Sequence, residues 1–455
     1  MPSAGIDIGS STLKVCLFDF ESTPELIDKW SLTCPLLRPQ PNRVEHNLGK
    51  LEHGLQALLA KLPDDCDLGF ASAMHGLVLV DADDQAMGDC ISWADGRSAF
   101  QAAQLKKDDP GAHLRTGTPL HPMSWPSKLL WAKEVHSATW NRVQRVTDLK
   151  NYLLEKITGK RFPLDISIAS STGLWNHQKQ DWDQRLLERL HLDPELLPSV
   201  SVDPIVDQWK KHRLHVGAGD GPLANLGVGA VIAGRVALSL GTSGAIRQME
   251  SSGDYPFQSS LFRYALDQDH WVRGGAVSNG TSVLDWLKLQ QQMSEEEILR
   301  KVSVVASGAD GLRVYPYFSG ERAPFWQPEV KSHITGWSFE HNFGHLARAA
   351  VEGVAFCLRR LLEQLEPTNQ PLRCTGGFFA SPVWRQLLAD VTGHAVAVSP
   401  MGEATALGAA LLTTEDYISL SSELPAGVIT EPDEHQVPVY NEIYEEWAAG
   451  EPTGR

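Results

Sequence analysis

The sequence lacks the features that would tie it to a membrane, to nucleic acid or to an oxidising compartment. Its six cysteines (Cys16, Cys34, Cys66, Cys90, Cys357, Cys374) form no Cys-x-x-Cys pair and no Cys/His ligand spacing. Neither a disulfide framework nor a zinc site is therefore expected. Several sit in apolar runs, where a reduced thiol packs as a small hydrophobe. Long hydrophobic runs are also missing. The most apolar stretch, Leu226 to Leu240, is broken by Arg235 and is too short for a bilayer. No basic segment followed by an apolar one opens the chain, so no secretory signal is read and a cytoplasmic protein is expected. Basic residues are in deficit: 40 Lys and Arg stand against 56 Asp and Glu, a net charge of −16. That argues against a nucleic-acid or anionic-membrane surface, while leaving room for a local basic pocket that takes a phosphate.

What is present fits a soluble α/β enzyme. At 455 residues the chain is long enough for two or three domains with a full core. "AGIDIGSSTLKVCLFDF" alternates around a Gly turn as a β-hairpin does. "RVEHNLGKLEHGLQALLAKL", "SKLLWAKEVHSATWNRV" and "DLKNYLLEKITGK" have helical spacing, the last stopped by Gly159. "WDQRLLERLHL" reads as a helix ended by Pro194. "HVGAGDGPLANLGVGAVIAG" is Gly-rich, and Asp220 within it reads as a loop residue. "WVRGGAVSNGTSVLDWLKLQQQM" and "LRCTGGFFASPVWRQLLADVTG" each run from strand through a Gly turn into helix. "HLARAAVEGVAFCLRRLLEQL" is a long amphipathic helix, "EATALGAALLTT" a small-residue helix suited to close packing, and "YNEIYEEWAAG" a short terminal helix. Strand and helix alternate throughout, which gives the α/β class. A boundary is expected near Asp220 to Gly234, with domains over 1–225 and 226–455.

One pattern occurs twice. "GIDIGSSTLK" and "LSLGTSGAIR" each read as strand, Gly, two small hydroxyl residues and a return strand. Their glycines, Gly9 and Gly241, lie close to half the chain length apart. A tight turn of this kind exposes backbone N–H groups and hydroxyls as an anion nest. Asp7 falls on the same sheet face as Gly9. A carboxylate beside a phosphate nest calls for a bridging cation, usually Mg²⁺. Either turn alone is explained as an ordinary hairpin; two at this spacing suggest a duplicated domain whose phosphate loops oppose each other across one polyphosphate.

With these motifs the chain resembles the FGGY carbohydrate kinases, which share the duplicated ATPase core of actin and hexokinase. The resemblance extends over nearly the whole chain. It rests on the two turns together with "TGGFFASPVWRQLLADVTG", "YPYFSGERAPFW" and "EATALGAAL". Within the family the pattern is most similar to gluconate kinases, through "SAMHGLVLVD", "ISWADGRS", "GTPLHPMS", "DISIASSTGLWN", "GDGPLANLGVGA" and "GERAPFW"; xylulokinases share "MHG" and parts of the rest. The resemblance implies an α/β fold of two actin/hexokinase-like (ribonuclease H-like) domains with a central cleft that closes on its ligands. The N-terminal domain would bind the sugar and the C-terminal domain the nucleotide. It implies ATP and Mg²⁺ as cofactors and a sugar or sugar acid as substrate. D-gluconate going to 6-phosphogluconate is the first reading; xylulose or another pentulose or polyol is the alternative. It allows a homodimer.

Site roles follow the same resemblance. Asp220 matches the general base and Asp7 the carboxylate that organises Mg²⁺. Ser10, Ser11 and Lys14 match first-loop nucleotide contacts, Gly241 and Thr242 the second loop. Gly280, Gly376, Gly377 and Ser381 match the rest of the nucleotide side, and Met74, His75, Trp93, Asp95 and Arg97 the sugar side. Arg97 reads either as a bidentate partner for a sugar-acid carboxylate or as one half of a structural ion pair. Glu321 and Arg322 read as an exposed loop pair. Val330, Lys331 and Ser332 replace a small-Arg-Gly run common in the family, and Phe378 stands where many members have a third Gly. Two readings of other classes share the core: an actin-like ATPase and a catalytically silent sugar sensor. The "MHG", "WADGRS" and "GERAP" stretches argue against the first, and Asp7 with Asp220 against the second.

Overall fold

The computed structural model describes residues 2–21, 23–251 and 260–451. The chain divides into two compact units built from interleaved segments. The first comprises Met1–Val231, Met249–Arg273 and Glu403–Leu424; the second comprises Ile232–Gln248, Gly274–Gly402 and Pro425–Arg455.

The first unit is organised on a six-stranded sheet. Its strands are β1 (Ser3–Ile8), β2 (Thr12–Asp19), β3 (Glu25–Thr33), β4 (Asp67–Ser72), β5 (Val206–Trp209) and β6 (His212–Gly219), in the order β5-β6-β4-β1-β2-β3. β1, β2 and β3 form an antiparallel meander. β4 is parallel to β1, β6 is parallel to β4, and β5 closes the edge antiparallel to β6. The expected hairpin at Gly9 is the β1–β2 turn. On one face the sheet buries apolar residues against helices Leu48–Leu59 and Leu149–Thr158, around Ile6, Ile8, Leu55, Phe70 and Leu153. The small-residue helix Ala404–Leu411 packs against backbone. A Cβ at Gly5 would sit 1.7 Å from the Ala406 carbonyl oxygen, and one at Gly69 would sit 1.8 Å from that of Ala409. Only glycine allows helix backbone to approach strand backbone so closely.

The second unit repeats the plan. The sheet concerned contains β7 (Val236–Leu240), β8 (Gly244–Glu250), β9 (Phe262–Ala265), β10 (Trp271–Val277), β11 (Leu372–Thr375), β12 (Val396–Val398) and β13 (Val428–Thr430); β9, the end of β8 and the start of β10 fall in the segment Met249–Arg273 that is grouped with the first unit. Their order is β9-β10-β8-β7-β11-β12-β13. β7 and β8 form the second hairpin, β11 and β12 continue parallel, and β13 is an antiparallel edge. The run β10-β8-β7-β11-β12-β13 therefore reproduces β3-β2-β1-β4-β6-β5, with β9 added. The amphipathic helix Phe343–Glu363 is the spine of this unit, with Phe356 packed against Tyr440, Tyr444 and Trp447 of helix Gln436–Ala449.

Local expectations shift in four places. Residues Arg43–His46 form a strand, and the helix after them starts at Leu48 because the Asn47 side chain accepts from Lys50 N–H. Helix Gln184–Leu190 ends before Pro194, since His191 takes a left-handed conformation that closes it. The terminal helix, expected to be short, spans 14 residues from Gln436 to Ala449. Asp220 is not a loop residue: β6 runs to Gly219, and helix Asp220–Gly227 starts at Asp220 itself. All six cysteines are buried and unpaired. No helix among the described residues is long and apolar enough to cross a membrane.

Candidate active site

In the first unit the sugar-side, first-loop and acidic residues gather at the carboxyl edge of the parallel strands. That edge is where open α/β sheets bind ligands. Register sets Asp7 level with Ala71 and Ala71 level with Ala218; one row on, Ile8, Ser72 and Gly219 align. Asp7 on β1 and Asp220 just past β6 thus flank β4 at the same edge. Burial and the negative charge of Asp220 push the Asp7 carboxyl up to about 7, against the pull of Lys14. Lys14 pairs opposite Asp7 on β2, and its ammonium contacts the Glu403 carboxylate at 2.7 Å. Lys29 binds the other oxygen of the same carboxylate. Ser11 is exposed, and the Ser10 hydroxyl accepts from Trp93 Nε1 at 2.8 Å, joining the first loop to the sugar-side residues.

Met74 is buried against Gly219, the residue before Asp220; a Cβ there would meet Met74 Cγ at 2.8 Å. His75 has φ +65°, a conformation that costs a non-glycine residue about 1–3 kcal/mol and persists only where its surroundings enforce it. Its Nδ1 bonds the Ser171 carbonyl at 2.8 Å, and its ring meets Tyr264 edge-on with centroids 5.6 Å apart. Asp95 is buried and accepts from Val44 N–H and Arg97 N–H. Arg97 commits Nε to Asp95 and Nη2 to Glu45, and its guanidinium lies over the Trp131 ring. The ion-pair alternative for Arg97 is therefore the arrangement present, and a substrate carboxylate would meet at most Nη1.

In the second unit the nucleotide-side glycines converge on the β7–β8 turn. Gly241 N–H donates to the Ser243 carbonyl at 2.9 Å, while Gly280 and Thr281 N–H groups donate to the carbonyls of Thr242 and Gly241. Two close approaches explain the glycines around it. A Cβ at Gly280 would sit 2.5 Å from Gly241 O, and one at Gly376, whose φ is +120°, would sit 2.2 Å from Leu240 O. Gly241, Thr242 and Gly377 face open space or solvent. Gly377 and Ser381 line a cavity of about 470 Å³ together with Glu295, Leu299, Arg300 and Ser303. Phe378 turns away from it into the core, its ring 3.7 Å from that of Trp384.

Glu321 is not part of an exposed pair. It is 2% exposed, and burial pushes its carboxyl up to about 7. It accepts from Ser278 N–H at 2.6 Å and Arg322 N–H at 2.8 Å, which fixes the segment leading to Gly280. Tyr264, Glu403 and Glu321 were not singled out as site residues by the sequence. Their partners lie 189, 389 and 43 positions away, so the motifs that contain Glu321 and Glu403 do not show what those carboxylates bind, and no motif contains Tyr264. Among the described residues no group of three or more His, Cys, Asp or Glu is arranged to hold a metal.

One unit holds two neighbouring carboxylates at the strand edge that leads into Met74 and His75, and the other holds an exposed Gly-Thr turn and a cavity of about 470 Å³ lined by Gly377 and Ser381. Comparison with known proteins places the chain in a family. Residues 3–209 match the N-terminal domain of the FGGY family of carbohydrate kinases, and residues 236–414 match its C-terminal domain. A gluconokinase of Bacillus licheniformis is 33% identical over 450 residues, covering 90% of this chain and 86% of the relative. A xylulose kinase of Escherichia coli (strain K12) is 28% identical, covering 96% of each. Among solved structures, a gluconate kinase and a ligand-bound xylulose kinase, both from Lactobacillus acidophilus, each superpose with TM-score 0.89 at 26% identity, covering 98% of this chain and 97% of theirs. The chain belongs to the FGGY family of carbohydrate kinases and is an ATP-dependent sugar kinase with the duplicated actin/hexokinase-like fold.

Proposed function

We propose that the enzyme phosphorylates D-gluconate at its 6-hydroxyl, with Asp220 as general base. The observation that carries the base assignment is the position of Asp220 at the end of β6, with Met74 packed on the preceding Gly219 and Asp7 across the same strand edge. A sugar hydroxyl is a weak nucleophile until a carboxylate takes its proton as the bond to phosphorus forms. Asp220 holds that proton while the bridging oxygen of ATP departs with ADP. The first turn of its helix provides a rigid seat. Met74, His75, Trp93 and Tyr264 wall the sugar, and Asp95 with Arg97 braces the loop that carries Trp93. The exposed Thr242, through its amide and hydroxyl, binds phosphate oxygens at a turn whose shape the Gly241 N–H bond to Ser243 O holds, and the cavity beside Gly377 and Ser381 takes the nucleotide base.

The donor set suits Mg²⁺. This ion takes one or two carboxylates and completes its shell with water and phosphate oxygens. Asp7, raised by burial and by Asp220, is a carboxylate that gains from a neighbouring cation. When bound, Mg²⁺ would neutralise phosphate charge. Lys14, anchored by Glu403, lies on the same face as a second cation.

Gluconate is favoured over pentuloses by the higher identity to the gluconokinase, 33% against 28% for the xylulose kinase. A xylulose kinase is the second reading, since the two solved Lactobacillus acidophilus relatives fit equally well. An assay of ADP release across gluconate, xylulose, ribulose and glycerol tests both. Turnover with gluconate at the highest kcat/KM is expected. A preference for xylulose installs the second reading, and sugar-independent turnover or binding without turnover removes both.

A further inference from the structure

The helix Trp125–Val135 presents an unusual first turn. Lys128 is fully buried within it, yet its ammonium forms no ion pair with a carboxylate among the described residues. Its hydrogen bonds go to two backbone carbonyls, those of His75 at 2.5 Å and Ile91 at 3.3 Å. Three residues earlier, Trp125, also fully buried, donates its indole N–H to the carbonyl of Gly76 at 2.8 Å. Two consecutive carbonyls of one turn, at His75 and Gly76, are thus held by two buried side chains of one helical turn. From another helix, Ile166–Ser171, the Ser171 carbonyl holds the His75 ring.

Burying a lysine without a counter-charge is unfavourable, and a hydrocarbon side chain would fill the same space at lower cost. Burial lowers the Lys128 pKa to about 7, with Cys90, Asp95 and Arg97 as its charged or titratable neighbours. Both the ammonium and the neutral amine donate to two carbonyls, so the contact survives either state. What these donors hold is a left-handed histidine that would otherwise relax toward negative φ.

We propose that Lys128, with Trp125, is a positioning residue for sugar binding: the pair clamps the Met74–His75–Gly76 turn so that the His75 imidazole faces the sugar beside Asp220. The inference rests on the sugar-side reading of Met74 and His75. Lys128 itself touches no substrate. It acts through His75, by removing the conformational freedom that sugar binding would otherwise have to remove.

A double-mutant cycle tests this, with gluconate KM, ATP KM and kcat measured in parallel for the full-length enzyme. Lys128→Met keeps length and apolar bulk and deletes the donors. It is expected to raise gluconate KM about tenfold or more while ATP KM is unchanged and kcat falls by no more than about threefold. Trp125→Phe keeps an aromatic ring and deletes one donor; a smaller change of the same kind is expected, and this variant carries the test should Lys128→Met not fold. His75→Ala alone raises gluconate KM, and Lys128→Met added to it has little further effect, because the clamped group is gone. A His75→Ala effect with no Lys128→Met or Trp125→Phe effect overturns the clamp alone, as do effects that multiply in the double mutant or that move both KM values together. A gluconate KM unaltered by His75→Ala overturns the sugar-side reading as well.

Discussion

The turn after β1 and the turn after β7 occupy the same topological place in their two units, and each spans a glycine and two small hydroxyl residues. They differ in what stands two residues before the glycine. In the first unit it is Asp7, paired across the hairpin with Lys14. In the second it is Ser239, whose hydroxyl accepts from Arg247 at 3.0 Å. The first turn thus sits beside an acidic strand edge that includes Asp220, and the second beside a guanidinium and a shell of close-packed glycines. One backbone device has been given opposite electrostatics. The same turn thus recurs with different neighbours, and the proposed function reads that difference as a division between proton and metal chemistry on one side and phosphate and base holding on the other.

The largest test of that contrast is Asp220→Asn. Loss of the base should lower kcat by about 10³-fold or more while binding of a non-hydrolysable ATP analogue persists. Ser239→Ala, at the second hairpin, should change kcat by less than about tenfold. Equal losses in the two would erase the proposed division. Asp7→Asn comes next, with an expected loss of about 10²-fold in kcat that extra Mg²⁺ restores only in part. The same variant has a pH signature. Asp7 is raised from 3.8 to about 7, so its contribution to stability is fully present below about 3.8 and is lost as pH rises through about 7. In chelator, Asp7→Asn should therefore be more stable than the parent at pH 8, by about 1–2 kcal/mol of unfolding free energy for a partly hydrated carboxylate, with the gap closing towards pH 4. A gap independent of pH would remove Asp7 from the acidic pair.

Gly376→Ala probes the other side. Its Cβ would collide with Leu240 O, so ATP KM should rise about tenfold and stability should fall by about 1–3 kcal/mol, with gluconate KM little changed. The smallest effect is assigned to Arg97→Lys. Because Arg97 is held by Asp95 and Glu45, its replacement should cost about 1 kcal/mol of stability and reduce turnover of gluconate and xylulose alike. A loss confined to gluconate would place the Arg97 guanidinium on the substrate carboxylate.

Hairpins, amphipathic helices and Gly turns were legible because each follows from residues a few positions apart. The β1–β2 and β7–β8 hairpins, the helix Phe343–Glu363 and the strand-turn-helix at Gly376 all fall where periodicity puts them. Ends set by a single conformation were not legible: nothing in "ERLHLDP" announces that His191 rather than Pro194 stops the helix. Asp220 was misread as a loop residue because its Gly-rich surroundings mask a strand running directly into a helix. At the candidate site, motif residues could be named singly, but their partners could not. Glu321 looked like half of a surface pair, and only the folded chain turns it inward onto Ser278 N–H. Lys128 lies in a stretch that reads as an ordinary helix and Trp125 just before it, and their carbonyl partners are 53 and 49 positions away.

The return of Glu403–Leu424 to the first unit has a consequence for biosynthesis. Helix Ala404–Leu411 covers Gly5 and Gly69, yet it leaves the ribosome more than 300 residues after the strand that carries Gly69. At about 5–20 residues per second, one face of the first sheet waits some tens of seconds for its cover. Over that interval the nascent amino-terminal portion is expected to leave that strand surface uncovered. A chain released early, before residue 403, should accumulate as an aggregation-prone species rather than as a folded half-enzyme.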